Sequence, residues 1–160
     1  YTAEHFRTVR ARLAPGGIFV VWLPAFQLDR EELLLIARTL AEVFPAVSLW
    51  QGGYRSENAE LALVAAEGPL DREAIAAAAG RDRSAEAGAD PLRRHPSGIF
   101  SRYIAPVDPG REPWRGRAVN TLDRPLLEFL AARGGRRPPG QRGSLEASNN
   151  TGLDPRSPSP

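Results

Sequence analysis

The sequence predicts an α/β domain in which flanking helices cover a mostly parallel sheet that ends in an antiparallel hairpin. Three observations lead to this. The turn Pro15-Gly16-Gly17 is followed by the uninterrupted apolar run Ile18-Phe19-Val20-Val21-Trp22-Leu23, which reads as a central strand with both faces apolar. Amphipathic helix patterns lie on either side, giving the order helix, buried strand, helix. Two further apolar runs, Val47–Trp50 and Leu61–Ala66, are too close in sequence for a crossover helix and should pair antiparallel.

Taken in order, Thr2 is placed to cap a first helix, with Glu4 and His5 in its opening turn. Phe6, Val9 and Leu13 form its apolar stripe. Pro15 and the glycine pair end it, Gly17 being the residue read as free to take a positive φ. Pro24 stops the strand, because proline cannot donate to a ladder. The loop Ala25-Phe26-Gln27-Leu28 then lies at the strand's carboxyl end, where open α/β sheets bind ligands. Asp29 and Glu32 have capping-box spacing for a helix over about residues 30–43. Its buried face is Leu33, Ile36, Ala37, Leu40 and Ala41, and Pro45 ends it. Asp71 is placed to cap a third helix, with Leu70 and Ile75 as a hydrophobic staple.

The stretch 80–96 has few apolar anchors and reads as a mobile connection. Ile99, Phe100, Tyr103 and Ile104 are expected to re-enter the core, and Trp114 to anchor its turn-rich surroundings locally. Asp123 or Thr121 is placed to cap a terminal helix ending near Arg133, with Pro125 in its first turn. Residues 1–133 therefore read as the folded domain and 134–160, rich in Gly, Pro, Arg and Ser, as a disordered tail.

Composition excludes several classes of function. There is no Cys, so thiolate metal sites and disulfides are out. The 21 Lys+Arg against 19 Asp+Glu are interspersed and form no basic stripe, which argues against nucleic acid. No apolar run approaches the ~20 residues that span a bilayer. Tyr1-Thr2 enters a helix pattern without Met, which predicts further chain upstream. There is no Walker loop, HExxH, GxSxG or metal-spaced carboxylate cluster, and Gly16-Gly17 precedes a strand where a dinucleotide fingerprint would follow one. His5 and His95 read as a solvated helix residue and a loop residue.

Four residues stand out as candidates for a substrate pocket. Trp22 ends the predicted central strand, where its ring either packs in the core or lines a pocket. Gln27 in the following loop can hydrogen-bond an amine or hydroxyl. Tyr54 lies in the connection between the two hairpin strands, which can fold over the same edge. Asp123 is a ligand carboxylate or a helix cap.

Three stretches together resemble the C-terminal half of spermidine synthase-like proteins, of the class I methyltransferase fold group. They are Tyr1-Thr2-Ala3-Glu4-His5-Phe6 through Leu13-Ala14-Pro15-Gly16-Gly17 to Pro24, then Val43-Phe44-Pro45-Ala46-Val47-Ser48-Leu49-Trp50, and Asn120-Thr121-Leu122-Asp123-Arg124-Pro125-Leu126-Leu127-Glu128-Phe129. The last block is the most specific. The resemblance implies a partial Rossmann-like methyltransferase fold, with Ile18–Leu23 as the fifth strand and the two later runs as the last two. It implies a transferase that, when complete, moves an aminopropyl group from decarboxylated S-adenosylmethionine to a polyamine acceptor. The alternatives are an S-adenosylmethionine-dependent small-molecule methyltransferase and a non-catalytic packing module.

The family's glycine-rich nucleoside loop, ribose-binding acid and aspartate loop are not in this sequence, so no cofactor is expected on this chain alone. Trp22 stands where the family has a polar substrate contact, Val21 where relatives often have glutamine, and Leu122 where they often have aspartate. The implied partners are an N-terminal half or another chain, and a small polyamine. The implied location is the cytoplasm, including a cytoplasmic domain of a larger membrane protein. A partial sheet also leaves an exposed edge, which predicts weak solubility or self-association.

Overall fold

The computed structural model describes residues 1–52, 60–81 and 98–134. Its elements are α1 (Ala3–Arg10), β1 (Ile18–Pro24), α2 (Arg30–Val43), β2 (Ala46–Gln51), β3 (Glu60–Ala66) and α3 (Arg72–Arg81). A 3-10 helix (Gly98–Arg102), β4 (Tyr103–Pro106) and α4 (Leu126–Gly134) follow. None of these helices is long and apolar enough to cross a membrane.

The sheet corrects the predicted fold class. Its order is β1-β3-β2-β4, and every neighbouring pair is antiparallel. Among the described residues it is a small antiparallel four-stranded sheet flanked by helices, neither mostly parallel nor Rossmann-like. The hairpin of β2 and β3 forms as expected, but β3 also pairs along the whole of β1, with Leu63 opposite both Val21 and Leu49. β1 and β2 therefore run in the same direction while β3 keeps them apart.

β1 is consequently an edge strand among the described residues, not a central one. It alternates sharply: Leu23 is 1% exposed and Val21 buried, while Ile18, Val20 and Trp22 are 44%, 39% and 60% exposed. An unbroken apolar run suits a strand covered on both faces or one whose second face is bare, and composition alone does not separate the two.

The helices α1 and α2 pack on the face that carries Val21, Leu23, Leu49 and Leu63. There Phe19 links the two helices. Its ring lies 6.2 Å from Phe6 and 6.1 Å from Phe44, the latter pair stacked. The starts of α1, α2 and α3 follow their sequence signals. Thr2 Oγ1 accepts from the His5 N–H (3.3 Å). The capping box closes in both directions, Glu32 N to Asp29 Oδ1 at 2.9 Å and Asp29 N to Glu32 Oε2 at 2.8 Å. Asp71 Oδ1 caps α3 through the Ala74 N–H (2.9 Å), and α3 continues through Gly80 to Arg81. At the α1–β1 turn the positive φ falls on Gly16 (74°). Gly17 is needed for another reason, since a Cβ there would sit 2.8 Å from Ala14 O.

Three further expectations are corrected. Residues 103–106 form a strand on β2, and Tyr103 and Ile104 are exposed rather than core. Trp114 belongs to the main hydrophobic cluster instead of a local one. Neither Asp123 nor Thr121 caps α4. That role falls to Asn120, whose Oδ1 accepts from the Leu127 N–H (3.1 Å). The expected mobile connection over 82–96 and the expected tail over 135–160 lie outside the described residues.

Arg10 fastens the end of α1 to two other elements. Its Nε and one terminal nitrogen each reach a Glu67 carboxylate oxygen at 2.7 Å, and the other terminal nitrogen donates to Val43 O at 2.7 Å. The hydrogen bonds from Arg10 hold the Glu67 carboxyl below its ordinary value of 4.5. A carboxyl lowered in the folded state contributes stability above its unfolded pKa and loses it as pH falls through the folded value. Thermal unfolding followed by circular dichroism should therefore weaken on acidification below about pH 4.5. In a Glu67→Gln variant the part of that decline due to this pair should disappear. Identical acid profiles for the two proteins would show that the pair contributes nothing.

Candidate functional site

The face of the sheet opposite α1 and α2 carries the exposed Trp22 on β1, while Ala62 and Trp50 on the same face are buried. Across β1, β3 and β2 the register aligns Trp22, Ala62 and Trp50 in one row. The Trp22 ring approaches the start of the β2–β3 connection. A Cβ on Gly52 would lie 3.2 Å from Trp22 Cζ3 and 2.8 Å from Glu60 Cβ, so the backbone passes close to the indole at a point where only glycine fits. The Gly52 N–H to Glu60 O bond of 2.7 Å holds it there. The rest of the indole is open to solvent.

β1 then ends in a tight turn. Pro24 O accepts from the Gln27 N–H (3.0 Å), which brings Gln27 back toward the strand end. Gln27 is exposed. Phe26, half-exposed in the same turn, adds an aromatic surface that was not singled out from the sequence. Its signal was available: a large apolar residue in a polar position of a post-strand loop. Asp29, the nearest acid in sequence, is committed to the capping box.

The other two candidates do not join this corner. Tyr54 lies outside the described residues. Asp123 is exposed in a turn closed by Thr121, whose Oγ1 accepts from the Arg124 N–H (3.1 Å). That turn is tied to the helices on the opposite side of the sheet. The Leu122 N–H donates to Glu4 Oε2 (3.1 Å), and the Asn120 N–H donates to Thr39 Oγ1 (2.9 Å). The Glu4 carboxyl is held below its usual value, first by its own backbone N–H and then by that of Leu122.

No protein-family model, curated protein or solved structure matches this chain. The methyltransferase-type, Rossmann-like fold implied by the resemblance therefore has no support beyond the sequence likeness, and the antiparallel sheet contradicts it.

The same face of the sheet has a second feature, at the β2–β4 end. Trp50 is buried, donates its Nε1–H to Ser48 Oγ (2.7 Å), and meets Tyr103 edge-on with ring centroids 5.4 Å apart. Phe100 lies 6.0 Å from the Trp50 ring, and the Arg72 guanidinium sits 4.4 Å over the Phe100 ring. These side chains border a groove of about 510 Å³. Sequence reasoning placed Phe100 and Tyr103 in the core and so missed it. The described residues bring together no group of three His, Cys, Asp or Glu able to hold a metal ion.

Proposed function

We propose that this chain supplies the acceptor-amine wall of a spermidine synthase-like aminopropyltransferase, whose nucleoside site is held by another polypeptide segment seated along β1. The observation that carries the reading is β1 itself. It is an apolar edge strand with the exposed row Ile18, Val20 and Trp22, and it ends at Pro24, whose carbonyl turns the chain back through the Gln27 N–H. An open edge with no charged residue invites a further strand, and a bare apolar row invites a covering element.

The residues present do not fit the nucleoside. The glycine pair before β1 is closed by its own backbone at Ala14, and Asp29 is spent on α2. The corner suits a polymethylene amine better. An exposed indole face attracts an ammonium group and packs its methylene chain, and Gln27 offers a carbonyl acceptor.

The test is a chimaera in which residues 1–133 replace the corresponding part of an active spermidine synthase. It should bind decarboxylated S-adenosylmethionine and release spermidine from putrescine. Trp22→Ala should raise the KM for the amine about threefold or more, consistent with an exposed cation–π contact. A chimaera that binds the nucleoside but forms no spermidine overturns the reading. That outcome would favour a non-catalytic packing module, a second reading supported by the commitment of Asp29 to a helix cap.

A further inference from the structure

The groove between β2, β4 and the start of α3 is separate from the β1 corner, and its chemistry is distinct. We propose that it is a binding site for an aromatic monocarboxylate.

Its volume of about 510 Å³ lies within the ~300–1,000 Å³ range of small-molecule sites. The walls are apolar. Trp50 lines it, with its indole N–H already satisfied by Ser48, so this wall asks nothing polar of a ligand. Tyr103, Phe100 and Leu70 line it as well. Such walls select a flat apolar body.

The polar groups at the rim then fix the sign of the ligand's charge. Arg72 is held over the Phe100 ring. A guanidinium carries five N–H donors, and one held over a ring still has donors to offer a carboxylate. No acid pairs with it among the described residues: the adjacent Asp71 is committed to the cap of α3. Asp108, also on the lining, accepts the Gly110 N–H at 2.8 Å. Its negative charge turns an anion away from that part of the rim and leaves Arg72 as the place for it. A single carboxylate on an aromatic body satisfies both the walls and the rim, whereas a cation would find, among the described lining residues, only Asp108 and would face Arg72.

The probe is 3-phenylpropionate, compared with its uncharged amide by titration calorimetry on the full chain at neutral pH. The acid should bind with a Kd of about 1 mM or below, a weak-ligand affinity. The amide should bind at least about fivefold more weakly, since a charge-assisted pair is lost. Arg72→Gln, an exposed substitution, should bring the acid down to the affinity of the amide and leave the amide unchanged. Leu70→Trp, which fills the groove, should weaken both. Trp22→Ser should change neither, which separates this site from the β1 corner.

Equal affinity for acid and amide in the unmodified protein would overturn the proposal. So would an Arg72→Gln variant that binds the acid normally, a loss caused by Trp22→Ser instead, or no binding of either compound.

Discussion

Phe6→Ala should cost about 3–5 kcal/mol, the usual range for deleting a fully buried aromatic ring. Phe6 is 1% exposed, and the only other buried residue of α1 is Ala3. The helix has eight residues, too short to hold its shape in water without packing. Its ring meets Phe19, which in turn stacks on Phe44 at the end of α2. Deleting the ring leaves a void at the junction of α1, β1 and α2 and releases the helix. Urea unfolding would measure the loss, and Phe6→Leu should recover most of it because volume and apolarity are largely kept. A loss below about 1 kcal/mol would mean that α1 is not anchored by this contact.

Asn120→Ala should cost about 2–4 kcal/mol, through a different mechanism. Asn120 is 3% exposed, and both ends of its amide are used. Oδ1 accepts from the Leu127 N–H at the start of α4, and Nδ2 donates to Tyr1 O (2.9 Å). Its backbone is used as well, the N–H toward Thr39 Oγ1 and the carbonyl toward the Ala3 N–H (2.9 Å). Alanine keeps the backbone bonds but leaves a partly buried donor and a carbonyl without partners. Hydrogen exchange should quicken most at the Leu127 amide. Asn120→Asp should protect that amide while still losing stability, because a carboxylate would then face the Tyr1 carbonyl. Unchanged exchange at Leu127 in the alanine variant would show that Asn120 is not the cap of α4.

The elements whose signals are local were the ones legible in the sequence. The capping box of Asp29 and Glu32, the stop at Pro45 and the apolar period between them defined α2. The close spacing of two short apolar runs was enough for the β2–β3 hairpin. Features that depend on distant partners were not legible. Where β3 inserts in the sheet is decided by pairing between residues about forty positions apart, as in Val21 with Leu63. β4 has four residues, two of them exposed large hydrophobics, and is a strand only because β2 offers it an edge. The sequence pattern assigns the cap of α4 to Asp123 or Thr121 and not to Asn120, because the amide that Asn120 accepts from lies seven residues downstream in place of the usual three. At the candidate site, Trp22 and Gln27 were found because a strand end followed by a turn is a local pattern. The groove around Trp50 and Arg72 was missed because it joins four segments that sequence reading treats separately.

The Asn120 junction also has a consequence for the order in which the molecule assembles. Its bonds close loops of 119 and 81 residues, to Tyr1 and Thr39, and contacts between such distant positions are slow to form. During synthesis α1 emerges well before the loop that secures its first turn. For that interval the start of the helix depends on Thr2 alone for its cap. The junction therefore acts as a latch that closes last. A chain halted before residue 120 would carry a complete β1–β3–β2 sheet while the head of its first helix stayed unfastened, a state open to capture by chaperones or to mispairing along the bare β1 edge.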